Sequence, residues 1–275
     1  MPSEKAFKLL DTLPIGLYTR LANAFARLGH KPYRVEPFGE GDILVTTDHD
    51  RHDPRRIHIC RRIRHRRYKK GVLAGVEGLA RTYHLHKLPI SPGGVFIDCG
   101  ANVGELGIWA REQGLAYEAF EPEPLEARCC DLNNFDGAAR THRVALWNEA
   151  TTLTFHSKPD TADSSVFEID DAAGSREVQA VRLDAAIDPA TFGAGTRIFK
   201  LEGEGAEPEI LQGAEGLLPH LDYIAADCGY ERGRAAQHTF IEVNDFLLAR
   251  GYRLIEAGFT RVTAVYRNEA RFNQQ

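Results

Sequence analysis

Apolar residues recur at helical spacing through residues 5–28, where Leu17, Leu21, Phe25 and Leu28 would share one face. Gly29 followed by Pro32 supplies a stop signal for that helix. Short strand-like runs follow at 41–47 and 56–60, and a helical stretch covers 72–86 before Pro89. Residues 1–90 are therefore expected to form an N-terminal α+β cap. Ser91-Pro92-Gly93-Gly94 is the clearest punctuation in the chain. The apolar run just after it, at 95–98, suits a strand buried on both faces, so a main domain is expected over 91–275.

Within that domain strands and helices alternate. A helix at 105–113, a strand at 117–120, a helix at 124–133 and a strand at 142–146 give βαβ rhythm, which predicts a doubly wound parallel α/β sheet. Extra strands at 151–155 and 178–183, with a polar loop at 157–165, interrupt the rhythm. It resumes with a strand at 197–201, a helix at 208–218, a strand at 223–227 and a helix at 240–250. Two β runs, 252–256 and 261–266, are expected to close the sheet as an antiparallel edge pair.

Composition narrows the class. The chain is 43% hydrophobic, enough for a sizeable core, yet no apolar stretch approaches the roughly 18 residues of a membrane span. The first residues mix charge with apolar side chains instead of giving a basic start and an apolar run, so no secretory signal is expected. Five cysteines (Cys60, Cys99, Cys129, Cys130 and Cys228) form an odd set without a Cys-x-x-Cys pair. Core thiols in a reducing, cytoplasmic compartment fit best, and a structural zinc site does not. The net charge of -5 hides one strongly basic segment: residues 51–70 hold ten Lys or Arg against one acid, Asp53. Such a run faces either solvent or an anion.

Asp98-Cys99-Gly100-Ala101-Asn102-Val103-Gly104 follows a predicted strand and opens a helix, the position where backbone N–H groups approach a ligand. A dinucleotide fingerprint would need glycines at 102 and 105, where Asn102 and Glu105 stand. NAD is disfavoured. Glu105 also puts negative charge in the first helical turn, which repels a pyrophosphate but is tolerable beside the sulfonium and amino-acid end of S-adenosylmethionine (SAM), which fits the charge better. Glu121 ends the second strand, where a carboxylate accepts hydrogen bonds from both ribose hydroxyls, and Pro122 and Pro124 fix the backbone around it. Asp98, Gly100, Asn102, Gly104 and Glu121 are accordingly the candidate cofactor-binding residues.

These pieces, together with Phe120-Glu121-Pro122-Glu123-Pro124 and Lys200-Leu201-Glu202-Gly203-Glu204-Gly205-Ala206-Glu207, resemble the FkbM-type family of SAM-dependent methyltransferases over roughly residues 93–230. The resemblance implies a Rossmann-like class I methyltransferase, acting on hydroxyl oxygen in sugars, polyketides or other secondary metabolites. One departure is visible. The family pattern usually has Asp two residues after the Lys, where this chain has Glu202.

Lys200, Glu202 and Glu204 end the fourth strand, which should lie beside the first near the switch point. Three ionisable groups on a central strand should face a polar cleft, because burying unpaired charge is expensive. They are the candidate catalytic group, with Glu202 the first choice as base and Lys200 tuning it. A secondary, less favoured reading has the acids holding Mg²⁺ through oxygen ligands. Ser164 and Ser165 in the polar loop, Asp227 at the end of the fifth strand, and Arg64 and Arg67 in the basic run are candidates for acceptor binding, the arginines for an anionic acceptor. His156 is a weaker candidate base.

The expected reaction is methyl transfer from SAM to a hydroxyl of a small molecule or glycan. The run Arg61-Arg62-Ile63-Arg64-His65-Arg66-Arg67-Tyr68-Lys69-Lys70 supports an alternative, RNA or other nucleic acid as acceptor or ligand. Against it, the chain contains no Pro-Pro dipeptide and so lacks the Asp/Asn-Pro-Pro-aromatic motif of many base amino-methyltransferases. A non-catalytic nucleotide-binding module would not need the charged segment from Lys200 to Glu207.

Overall fold

A computed structural model describes residues 12–39, 43–48, 55–157, 165–167 and 174–272. The N-terminal part contains a helix, Ile15–Leu28, and an antiparallel sheet of β1 (Tyr33–Pro37), β2 (Leu44–Asp48) and β3 (Arg56–Ile59). A 3₁₀ segment, Arg62–Tyr68, and the helix Val72–Thr82 follow. Most of the shared apolar face of the first helix is open to solvent. Leu17, Phe25 and Leu28 are 45%, 64% and 79% exposed, while Tyr18, Thr19 and Ala26 are buried. Polar contacts set this orientation. Asn23 brackets Val35 by donating to its O at 2.7 Å and accepting from its N at 2.8 Å, and the Tyr18 hydroxyl meets His65 Nδ1 at 3.0 Å.

The main sheet begins with β4 (Val95–Cys99) and β5 (Ala116–Phe120) and continues with β6 (Ala145–Leu146), β7 (Thr151–Ser157) and β8 (Gly174–Val181), which leave it to form a separate small sheet. The remaining strands are β9 (Arg197–Leu201), β10 (Tyr223–Asp227), β11 (Tyr252–Gly258) and β12 (Thr263–Asn268). The six-stranded order is β11-β12-β10-β9-β4-β5, and the small sheet runs β6-β8-β7. Strands β10, β9, β4 and β5 are parallel neighbours, with helices between them in sequence, giving the doubly wound Rossmann-like α/β fold expected. The C-terminal pair is antiparallel, but only β11 is an edge, since β12 pairs with β10 on its other side.

The strand expected at 142–146 divides. His142 bridges Phe120, its ring stacked on the Phe120 ring at 4.4 Å, and only Ala145–Leu146 form a strand, paired with β8 in the small sheet. The run expected as a strand to residue 183 ends at Val181, and Leu183 opens a helical turn.

Alternation along the buried parallel strands splits the core in two. Phe96, Ile198 and Ala225 face one side, and Val95, Ile97, Phe199 and Ile224 the other. Among the described residues the N-terminal part shares its core with the main domain: Leu44, Ile57, Tyr68 and Val76 belong to the same apolar cluster as Phe96, Leu106 and Trp109. It is packed onto the sheet face that carries the helix Glu105–Glu112, and this brings residues 62–83 to the carboxyl ends of β4 and β9. Among the described residues no helix is long and apolar enough to cross a membrane.

Candidate active site

A cavity of about 460 Å³ opens at the carboxyl ends of β4, β5 and β9, where doubly wound sheets hold their ligands. Its floor is the loop after β4. The N–H groups of Gly100 and Ala101 both donate to the Phe120 carbonyl at 3.0 Å, which ties the loop to β5. Gly100 has φ +68°, and a Cβ there would lie 2.7 Å from the Glu202 carbonyl oxygen, so the loop follows this path only with glycine.

Glu121 is held from both sides. Asn102 N–H donates to its Oε2 at 2.7 Å and Glu123 N–H to its Oε1 at 2.8 Å, leaving each oxygen one accepting direction. The residue is 5% exposed and lines the cavity. Burial pushes its pKa up to about 7, against the two backbone donors. A preoriented, desolvated carboxylate with two remaining lone pairs matches a vicinal diol, so the residues present fit the ribose of SAM. Beyond it, on the small-sheet side, the wall turns apolar with Ala145, Leu146, Phe155 and Val166, a surface suited to a purine ring.

At the β9 end the wall is charged. Parallel register sets Asp98 beside Lys200, and the Lys200 ammonium is buried among Asp98 Oδ1 (3.1 Å), Glu202 Oε2 (2.8 Å) and the carbonyls of Cys99 (2.7 Å) and Gly100 (2.9 Å). Burial opposes its charge, but Asp98 and Glu202 outweigh that and raise its pKa. Lys200 is a fixed cation that ties the cofactor loop to β9, with no proton to exchange at neutral pH. Asp98 is also engaged by the Tyr117 hydroxyl at 2.8 Å, and burial raises its pKa against the pull of Lys200.

Glu202 accepts from Lys200 and, through Oε1, from Arg261 at 2.7 Å, and Tyr83 lines the same wall. Burial resists ionisation there, yet Lys200 and Arg261 prevail and hold the pKa down at about 2. A carboxylate so stabilised is a weak base toward a free hydroxyl. Glu204 also reaches the cavity, from a left-handed backbone position (φ +51°).

Other expected site residues have different places. Gly104 caps the helix Glu105–Glu112 and does not line the cavity; a Cβ there would meet Asn134 Nδ2 at 2.2 Å, so its role is packing. Ser165 clamps the Glu204 loop, donating to the Glu204 carbonyl at 2.9 Å, and its backbone pairs with His156, which stands outside the cavity. Ser164 lies outside the described residues. Asp227 is fully buried behind the wall, bonded to Arg261 and to Gly229 N–H. Arg67 donates to Glu105 Oε1 at 2.5 Å, where the Tyr68 hydroxyl adds a bond of 2.7 Å. Burial opposes the Glu105 charge, but Arg67 and Arg64 lower its pKa. Arg64 lines the cavity.

Three arginines of the basic run are pinned inward: Arg55 pairs with Glu112, Arg61 with Glu126 and Arg67 with Glu105. Sequence reasoning missed Arg261 and Tyr83, which reach the site only through tertiary packing and carry no local motif.

The chain matches the model of the methyltransferase FkbM domain over residues 98–254. No curated protein matches it. Among solved structures it is similar to a ribosomal protein L11 methylase from Lactobacillus delbrueckii subsp. bulgaricus, at 13% identity over 73% of this chain and 83% of that one, TM-score 0.39. It is also similar to a SAM-bound magnesium protoporphyrin IX methyltransferase from Synechocystis, at 14% identity over 74% and 79%, TM-score 0.35. A SAM dependent methyltransferase from Aquifex aeolicus shares 13% identity over 70% and 95%, TM-score 0.38.

Proposed function

The chain belongs to the methyltransferase FkbM family, and from that premise we propose that it methylates a hydroxyl group on a small molecule or glycan. The observation that carries the reading is Glu121, preset by two backbone N–H groups to take a ribose diol at the rim of a cavity between β4, β5 and β9. When bound, SAM supplies a methyl group already activated by its sulfonium. The chain's own task is to align an acceptor oxygen, exclude water and receive one proton.

Glu121 fixes the ribose. The apolar wall of Leu146, Phe155 and Val166 takes the base. Glu202, held rigid by Lys200 and Arg261, orients the acceptor by accepting its hydroxyl hydrogen. Its low pKa does not prevent proton uptake late in the reaction: once the new C–O bond is forming, the oxygen is far more acidic than any carboxylic acid. Glu202 therefore receives a proton it could not have removed beforehand, and Glu204 shares that wall. Pairing of Arg55, Arg61 and Arg67 with acids of the main domain disfavours a nucleic-acid acceptor, since these side chains are committed within the fold.

The test is incubation with isotopically labelled SAM and fractionated cell extracts, followed by mass spectrometry. A labelled methyl ether in the small-molecule or glycan fraction is expected. Label confined to RNA or protein would overturn the acceptor class.

A further inference from the structure

Among the described residues four cationic side chains wall the cavity, and three are already matched with acids. Arg67 is bound to Glu105, Lys200 to Asp98 and Glu202, and Arg261 to Glu202 and Asp227. Arg64 is different. Among the described residues its side chain has neither an ion pair nor a hydrogen bond, although the cavity wall half-buries it.

Its position is nonetheless fixed. Arg64 N–H donates to the Arg61 carbonyl at 3.0 Å within the 3₁₀ segment. That segment is anchored at one end by Arg62, which donates to the Leu13 carbonyl at 2.6 Å, and at the other by Arg67 and Tyr68 on Glu105. Glu105, the nearby acid that feels its charge, is bonded directly to Arg67 and Tyr68, so the half-buried Arg64 guanidinium keeps its donors unused, and its planar fork matches a carboxylate.

SAM presents one carboxylate, on its methionine end, next to an ammonium. Acidic side chains at the β9 end suit the ammonium, and Arg64 is the cation left for the carboxylate. Resting on the SAM reading above, we infer that Arg64 is the counter-ion of the methionine carboxylate of SAM. The N-terminal part then contributes directly to the cofactor site from outside the residues 98–254 that define the family match. Arg64 thereby leaves the role of acceptor-anion contact that the basic run suggested.

The experiment compares two neutral-pH ligands by calorimetry on the full chain: S-adenosylhomocysteine, which keeps the amino-acid end, and 5′-methylthioadenosine, which lacks it. Arg64→Gln is expected to weaken S-adenosylhomocysteine about 10- to 100-fold, the range for losing charge-assisted hydrogen bonds, and methylthioadenosine less than about 2-fold. Arg64→Lys should recover part of the loss. Unchanged S-adenosylhomocysteine affinity in Arg64→Gln overturns the inference while leaving the SAM reading intact, and equal weakening of both ligands overturns it in favour of a packing role. If the wild-type chain binds neither ligand, the SAM reading fails and the inference with it.

Discussion

Replacing Lys200 by Met removes the cation at the centre of the charged wall while keeping the length of the side chain. The ammonium now satisfies two carbonyls, at 2.7 and 2.9 Å, and two carboxylates, at 2.8 and 3.1 Å. Asp98 is 1% exposed, so its charge has no solvent to turn to once Lys200 is gone. Breaking a buried pair by deleting one partner costs about 3–5 kcal/mol. For a chain of this size each kcal/mol lowers Tm by about 2–4 °C, giving a fall of about 6–20 °C. Thermal unfolding read by calorimetry and circular dichroism measures it. The pair Lys200→Met with Asp98→Asn should recover part of the loss, because one of the stranded charges is then neutral. A single variant whose Tm stays within about 2 °C of wild type would refute the claim that Lys200 organises the site.

Glu202→Gln keeps size and one acceptor but cannot take a proton; kcat should fall about 10²-fold or more with S-adenosylhomocysteine affinity retained, and near-normal turnover would remove Glu202 from the reaction. Because the Glu202 pKa lies at about 2, any acid limb of the rate profile between pH 5 and 8 must belong to another group and should persist in that variant. If Glu121, its pKa pushed up to about 7, holds the ribose hydroxyls in its ionised form as proposed, S-adenosylhomocysteine affinity should drop as pH falls from 8 to 6. That slope should vanish in Glu121→Gln, and its survival there would count against the assignment. For stability without ligand the sign reverses: a raised carboxyl pKa favours the folded chain below the unfolded value, and that contribution fades as pH rises through 7. Chelation should leave turnover unchanged, since no group of three His, Cys, Asp or Glu suited to a metal ion occurs among the described residues; loss on chelation with recovery on adding Mg²⁺ would recast the acids as ligands.

Much of this site was legible in the chain because its parts are local. Glu121 stands one residue after a strand, Gly100 two residues after Asp98, and Lys200 and Glu202 share one strand face, so motif spacing alone locates them. Parallel pairing of β4 with β9 then follows from the switch-point rule, and it sets Asp98 beside Lys200. What spacing could not convey was who neutralises whom. The low pKa of Glu202 depends on Arg261, 59 positions away, and the fate of Arg67 depends on Glu105 in another element. Gly104 looked like a cofactor glycine because it lies in the same loop, yet Asn134 and Cys130 of the helix Pro124–Asn134 occupy the space its side chain would need. The spacing that locates the first helix likewise does not say how it is rotated; Asn23 and Tyr18 fix that through specific hydrogen bonds.

The central claim is that the cavity binds SAM with Glu121 on the ribose, and calorimetry of S-adenosylhomocysteine against wild type and Glu121→Ala tests it most directly. Wild type should bind, and the variant, shown by circular dichroism to be folded, should lose about 1.5–3 kcal/mol, or roughly 10- to 100-fold in affinity, as the charge-assisted hydrogen bonds disappear. A folded Glu121→Ala chain with wild-type affinity would contradict the account.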